Sequence, residues 1–519
     1  MVANHHWIKS LSCHSSLSPG KAAKIISTRS FTSPNTVCQA KPYNQIPGPK
    51  PLPLIGNTWR YLPYIGEYDI EKTPENCEAN LKKYGPLVRE VLFGKFSILH
   101  VFDPSDMDSV FRNEGKYPYR RSHRALCKYR HDRPHIYSSG GMFTENGDAW
   151  YRSRKLVQSM LLNQPQINQF IPEISLTADQ LISNILEIKS LSGSVENLMP
   201  HLYRWALETN GRVFVGQQLG CLNLKGTSES EALFGAIHET HEAIMATELA
   251  ATNLWQYFPT SDYKKLVKSQ DVMGDIISKF IENIDHNSTS IHGAKSIVSQ
   301  LFNQPEATRK DIFTIIMDLF LAAFDTTSFV VAFALYHLSC NQKCQDQVRK
   351  ELFEIFPSGK EPISVESLQQ MKYLKACVKE SMRINPFSIG TGRVTTRDMT
   401  IRDFHIPTGT MIIVQNQVAC MQESNFPRPN EFIPERWLAL ERGNWPKASP
   451  FAMLPFGYGA RMCIGRRLSE LELYILIAKI LRNFRVEFDD DEPFRAKTRF
   501  INVPVGPLKL RFIDISTNK

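Results

Sequence analysis

Residues 456–465 read Phe456-Gly457-Tyr458-Gly459-Ala460-Arg461-Met462-Cys463-Ile464-Gly465, and no other stretch constrains the chain as tightly. One cysteine stands in a glycine-bounded loop, behind an aromatic residue and two places after an arginine. An apolar-periodic segment follows at once, so the spacing predicts a helix over Leu468–Phe484. The thiol then sits at a helix N-terminus beside Arg466 and Arg467, where dipole and positive charge are expected to favour the thiolate. Glycines at 457, 459 and 465 allow a tight turn and close approach to a flat ligand. A buried structural cysteine is the ordinary alternative, and it requires none of these neighbours.

A thiolate presented in this way suits ligation of haem iron. The decamer carries Phe-x-x-Gly-x-Arg-x-Cys-x-Gly at every fixed position and so resembles the haem-binding signature of the cytochrome P450 family. The resemblance runs from about residue 45 to the C-terminus and rests on several separate motifs. It implies a mainly α fold with a minor β portion, a single haem-thiolate catalytic domain over 57–519. It also implies haem b as cofactor, with Cys463 as iron ligand and Phe456 and Arg461 beside the group.

The segment Asp311–Leu338 is apolar almost all round, which predicts a long buried central helix. Inside it, Ala322-Ala323-Phe324-Asp325-Thr326-Thr327 sets an acid and hydroxyls where they are costly unless bonded or used. A back-bonded Thr and a capped Asp are the plain alternative. In the resembling family this stretch crosses the haem, and an acid–alcohol pair relays protons during dioxygen cleavage. That places Asp325 as the acid and Thr326 as the alcohol. Ala323 stands where the family commonly has Gly, a departure that narrows the oxygen groove.

Glu380 and Arg383 lie one helical turn apart, close enough to pair, and Arg436 follows in Phe432-Ile433-Pro434-Glu435-Arg436-Trp437. The resemblance implies a buried Glu-Arg-Arg network holding the cysteine loop. Trp150-x-x-x-Arg154, on a helix beginning near Asn146, also matches. Haem propionates need donors in a dry setting, and arginine suits them best. By the same resemblance Trp150, Arg154 and Arg461 take that role, with Arg393 as a fourth.

No glycine fingerprint for flavin or nicotinamide appears, so electrons must arrive from a separate donor. Lys375 and Lys379 share a helix face, and Arg466 and Arg467 follow the cysteine. This resembles mitochondrial P450s, which dock an acidic adrenodoxin-type ferredoxin, served by its reductase, through opposite charge. A solvated basic face is the simpler reading of the charges alone. Nothing in the charge pattern calls for nucleic acid.

Residues 1–66 contain seven Lys or Arg and no Asp or Glu, and so carry most of the net charge of +9. Basic, Ser/Thr-rich and acid-free, residues 1–30 are expected to form a mitochondrial transit peptide ending near Arg29-Ser30-Phe31. No run of about 18 apolar residues is read in the sequence, so no membrane-spanning anchor is expected. The prolines from Pro47 to Pro53 make 31–56 an extended segment leading into the domain. Ten cysteines without paired spacing fit a reducing compartment, the mitochondrial matrix. The cluster Leu254-Trp255-Gln256-Tyr257-Phe258 suits either a core or a peripheral contact with the inner membrane.

Tyr61 to Tyr68, and Arg120 to Arg130 with Asp132-Arg133-Pro134, resemble arthropod mitochondrial members that hydroxylate ecdysteroids at carbon 22. Phe143-Thr144-Glu145-Asn146 departs from the Leu-Pro-Thr-Asn of those enzymes. The substrate implied is a steroid, an ecdysteroid precursor, held in a long apolar cavity. Hydroxylation at another steroid position, or of xenobiotics, is the neighbouring alternative. A non-catalytic haem sensor or carrier is the alternative of another class, and it has no use for a proton relay or a ferredoxin face.

Overall fold

A computed structural model describes residues 40–62, 64–93, 96–223, 226–249, 253–283, 295–438, 445, 448–499 and 501–515. The proposed transit peptide, 1–30, lies outside them. Helices make up most of the described chain, and the strands form short ladders, as the sequence implies.

The organising element is the central helix, Arg309–Cys340, about 48 Å long at 1.5 Å per residue. Thr308 and Asp311 form a reciprocal capping box at its start. It is apolar on nearly every face, so it must be surrounded. The helices Met199–Asn210, Lys372–Ile384 and Arg466–Asn483 pack against it and build the main core. By length and composition this helix could cross a membrane, which corrects the expectation that no such run exists. Yet 78% of its most apolar window is buried inside the protein. Its hydrophobicity serves the core.

The β portion joins the two ends of the chain. Strands Leu87–Val91, Ser97–Val101, Met411–Val414 and Thr391–Val394 lie side by side in that order. The outer pairings are antiparallel, and Ser97–Val101 runs parallel to Met411–Val414. A second apolar cluster lies beneath this sheet and includes Ile46.

The expected boundary at 56/57 is not where folding begins. Lys41 N–H donates to Asp403 O (2.6 Å), and Arg89 N–H donates to Pro47 O (2.9 Å). Gly48 lies so close to Arg89 that an added Cβ would sit 1.9 Å from its carbonyl oxygen. The proline-rich stretch is therefore packed on the sheet edge, and the compact unit starts at Lys41. Among the described residues all eight cysteines are free.

Candidate active site

The cysteine loop closes on itself. Cys463 N–H donates to Phe456 O (2.8 Å), Gly457 N–H to Leu454 O (3.0 Å) and Met462 N–H to Gly459 O (3.1 Å). Gly457 and Gly459 hold φ of +69° and +75°, a region that penalises any side chain. A Cβ on Gly459 would also meet Glu114 Oε1 at 2.0 Å. Gly465 has an ordinary φ of −80° and caps the helix Arg466–Asn483, which begins two residues before the expected start. Phe484, the expected last residue, instead opens a strand.

The Cys463 side chain is exposed although protein crowds round it. An open thiol in a desolvated setting marks the wall of an internal space rather than outer surface. Burial pushes its pKa up, against the expectation that dipole and charge would yield a thiolate. The backbone N–H groups of Gly465 and Arg466, with Arg154, oppose that rise without overcoming it. A metal ion bound at this thiol would supply the missing charge, since a coordinating thiol is deprotonated outright.

Around this thiol the chain gathers arginines. Arg154 Nη1 donates to Met462 O (2.8 Å), tying the helix Gly147–Leu161 to the cysteine loop. Arg461 donates to four neutral groups: Pro118 O (3.0 Å), Met142 O (3.5 Å), Glu145 O (2.6 Å) and Asn146 Oδ1 (2.8 Å). Its guanidinium lies 4.1 Å over the buried Trp150 ring. Arg393 pairs with Glu114 at 2.6 Å and donates to Tyr458 O. The structure thus unites Trp150, Arg154, Arg393 and Arg461.

It adds Arg120, whose Nη2 donates to Phe143 O (2.7 Å) and whose Nε is buried without a partner. Asn146 joins the two arginines, since its Oδ1 also accepts Arg120 N–H at 2.9 Å. Burial first, and then Arg120, Arg393 and Arg154, together depress Arg461 to about 9, while Glu114 acts the other way. Burial likewise depresses Arg120, to about 10. So much like charge needs anionic partners, and a cofactor with two carboxylates fits this set.

On the central helix, Asp325 is buried while Ala322, Ala323, Thr326 and Val330 keep partly open surface. Their spacing makes one stripe on an otherwise enclosed helix, so the stripe faces an internal opening. Thr326 Oγ1 donates to Ala322 O (2.9 Å), the back-bonded state. Asp325 Oδ2 lies 2.7 Å from His241 Nδ1, and Oδ1 is buried without a partner. His241, in the helix Ser228–Leu249, carried no sequence signal.

Thr327 Oγ1 donates to Glu472 Oε2 (3.3 Å), linking the central helix to the cysteine helix. Burial pushes Glu472 up to about 8.

Glu380 is fully buried and accepts five hydrogen bonds. Arg383 Nε and Nη2 donate at 3.0 and 2.9 Å, Arg436 Nε at 3.0 Å, Trp437 Nε1 at 2.9 Å and Ile433 N–H at 3.0 Å. The two arginines also donate to the carbonyls of Cys420, Glu431 and Pro427. These bonds hold the segment 420–437 directly. That segment and its neighbours touch the stretch leading to the cysteine loop through Asn416 Nδ2 to Leu454 O (3.1 Å) and Cys420 Sγ to Ala452 O (3.2 Å).

The basic face is gathered too: burial lowers the pKa of Lys379, and Arg466 lies close enough to lower it further by like-charge repulsion. Lys379 Nζ lies 4.0 Å from the Trp437 ring centre. Glu470, which the charge count overlooked, sits within the patch and pairs with Arg466 (2.9 Å) and Arg467 (3.8 Å).

The segment Arg120–Pro134 is mostly framework. Tyr129 donates to Asp271 (2.6 Å), Arg130 to Asp318 (2.6 Å), and Arg124 N–H to Glu248 (2.7 Å). Of the aromatic cluster, Trp255 is buried, while Leu254, Tyr257 and Phe258 are exposed.

Comparison with known proteins agrees with this geometry. The family profile described as Cytochrome P450 matches residues 46–512. The chain is 33% identical over 475 residues to the Drosophila melanogaster protein "Cytochrome P450 302a1, mitochondrial", covering 90% of this chain and 95% of that one. It is 34% identical over 494 residues to "Probable cytochrome P450 301a1, mitochondrial" of the same organism, covering 92% and 88%. "Ecdysone 20-monooxygenase", also of Drosophila melanogaster, is 27% identical over 485 residues, covering 90% and 88%. The chain belongs to the cytochrome P450 family, monooxygenases whose cofactor is a haem with its iron ligated by cysteine.

Proposed function

We propose that this chain is a mitochondrial steroid hydroxylase of the matrix side, peripheral to the inner membrane, that hydroxylates an ecdysteroid precursor at carbon 22. The carrying observation for the chemistry is the open Cys463 thiol ringed by under-compensated arginines, with an acid and an alcohol on the helix crossing the core. The steroid assignment is supported by the segments Tyr61–Tyr68 and Arg120–Pro134, and by the ecdysone-named relative. Relatives named mitochondrial support the compartment.

Cys463 holds the haem iron. Trp150, Arg154, Arg393 and Arg461, joined by Arg120, would hold its propionates, and Phe456 would stand beside the group. The bound haem supplies dioxygen cleavage and oxygen insertion into a C–H bond. Asp325 offers its free Oδ1 to protons entering the site, and Thr326 leaves its bond to Ala322 O to orient water. The small side chains of Ala322 and Ala323 would let the helix backbone approach the bound group, while the partly open Val330 and Phe387 suit an apolar substrate. Lys375, Lys379, Arg466 and Arg467 receive an acidic ferredoxin.

The test is to incubate the haem-loaded full chain with a mitochondrial-type ferredoxin, its reductase and a carbon-22-deoxy ecdysteroid. Mass spectrometry and NMR then locate any added oxygen. A 22-hydroxyl supports the whole reading. Oxygen at another position, or on xenobiotics alone, replaces the substrate, and absence of oxygen consumption with every substrate favours a haem sensor.

A further inference from the structure

The central helix carries three buried carboxylates, Asp311 in its capping box and then Asp318 and Asp325, and the structure treats the last two differently. Asp318 has both oxygens filled: Oδ1 accepts from Arg130 Nη1 at 2.6 Å and Oδ2 from Met142 N–H at 2.6 Å. Its partner is a guanidinium that is fully enclosed. That is a structural pair in which the carboxylate is fully satisfied. Asp325, two turns on, has one oxygen against an imidazole that keeps roughly a quarter of its side chain in solvent (27%), and one oxygen buried with no partner at all. An unmet buried acceptor costs free energy and is kept only where something else completes it.

We infer that His241 is the positioning residue of Asp325. Its Nδ1 fixes Oδ2 from the solvent side, which leaves Oδ1 as the oxygen that serves the interior. The inference rests on reading Asp325 as the relay acid, and it adds what holds that acid in place. The 2.7 Å contact sets Nδ1 directly against Oδ2, although its alignment is not that of a good hydrogen bond. No other cation makes an ion pair with Asp325 among the described residues.

The surroundings make His241 the one practical holder. From the segment before the helix Arg124–His131 come Arg120 and His123, and the burial-depressed His123, at about 3, stays neutral. Arg130 is committed to Asp318 and Arg124 to Glu248. From the helix Met199–Asn210 comes Tyr203, whose phenol is pushed up by burial and by Asp325 itself, so it remains a neutral group. Only His241 combines direct contact with Asp325 and access to solvent. The contact spans two helices, so it also sets how the Ser228–Leu249 helix sits over the acid.

Three variants test this: His241→Leu, His241→Gln and Asp325→Asn, with the His241→Leu/Asp325→Asn pair. Expected for His241→Leu is a fall in kcat of roughly ten-fold or more, and more reducing equivalents lost to peroxide. Substrate KM and haem content should stay near wild type. His241→Gln, whose amide can donate to the same oxygen, should recover most of the coupling. The double variant should be no worse than Asp325→Asn, because both act through one carboxylate.

Thermal unfolding gives a reading independent of turnover. His241→Leu strands a buried charge and lowers Tm, and adding Asp325→Asn restores it. That restoration supports the inference even where His241→Leu holds haem poorly. A Tm loss that Asp325→Asn leaves untouched overturns it, because His241 is then only a packing residue. Wild-type coupling in His241→Leu with impaired Asp325→Asn also overturns it, while keeping Asp325 as relay acid. Wild-type coupling in both removes the relay reading as well.

Discussion

Glu380→Gln is the sharpest perturbation this structure offers, because it changes one charge and almost no volume. The carboxylate is fully enclosed and Oε1 accepts three of its five bonds, Oε2 the other two. An amide keeps one oxygen and turns an NH2 group toward donors that already point inward. Arg383 and Arg436 are then left enclosed without an anion. Breaking a buried pair from one side costs about 3–5 kcal/mol, against a total stability of about 5–15 kcal/mol for a folded domain. The variant should therefore melt several degrees lower and hold haem less firmly. Unfolding followed by circular dichroism gives the first quantity, and the haem-to-protein ratio with the spectrum of the reduced carbon monoxide complex gives the second. Glu435→Gln is the matched control, since that side chain is exposed and bonds only Tyr373 OH in the described set (2.5 Å). If Glu380→Gln melts like the control and keeps cysteine-ligated haem, the segment 420–437 is not pinned by this network, and the reasoning fails.

Gly459→Ala should cut haem retention sharply, because it meets both an adverse φ and the Glu114 carboxylate; equal haem content would show that the loop yields easily. Thr326→Ala should retain haem and divert electrons to peroxide, and an unchanged peroxide yield would remove Thr326 from the relay. Glu472 ionises at about 8 in the folded protein and near 4.5 when unfolded. The folded state thus keeps a proton that the unfolded chain loses, and stability declines as pH rises through that window, by up to about 1.4 kcal/mol per unit. Glu472→Gln cannot titrate, so its Tm relative to wild type should be higher at pH 8 than at pH 5, and parallel curves would contradict the shift. Lys375→Glu with Lys379→Glu should raise the ferredoxin concentration needed for half-maximal rate, most at low salt; no change would place docking elsewhere.

The sequence by itself determined what depends on local spacing. A cysteine loop before a helix, an all-round apolar stretch and Glu-x-x-Arg at one-turn spacing are properties of consecutive residues, and each stands where the sequence put it. The capped central helix needed only Thr308, Asp311 and hydrophobicity to be foreseen. The tertiary structure decided whatever depends on residues far apart in the chain. Arg120 joins the arginine set only because 118–120, 142–146 and 461 converge, and Asn146 links them through one side-chain oxygen. His241 meets Asp325 across 84 positions that no periodicity spans. The raised pKa of Glu472 also lies in this second class, since its desolvation is set by the enclosing core. The proline-rich stretch, read as an extended lead-in, packs on the sheet edge because Ile46 and Gly48 find partners there. Local sequence sets which groups are available; long-range packing sets which of them meet and in what charge state.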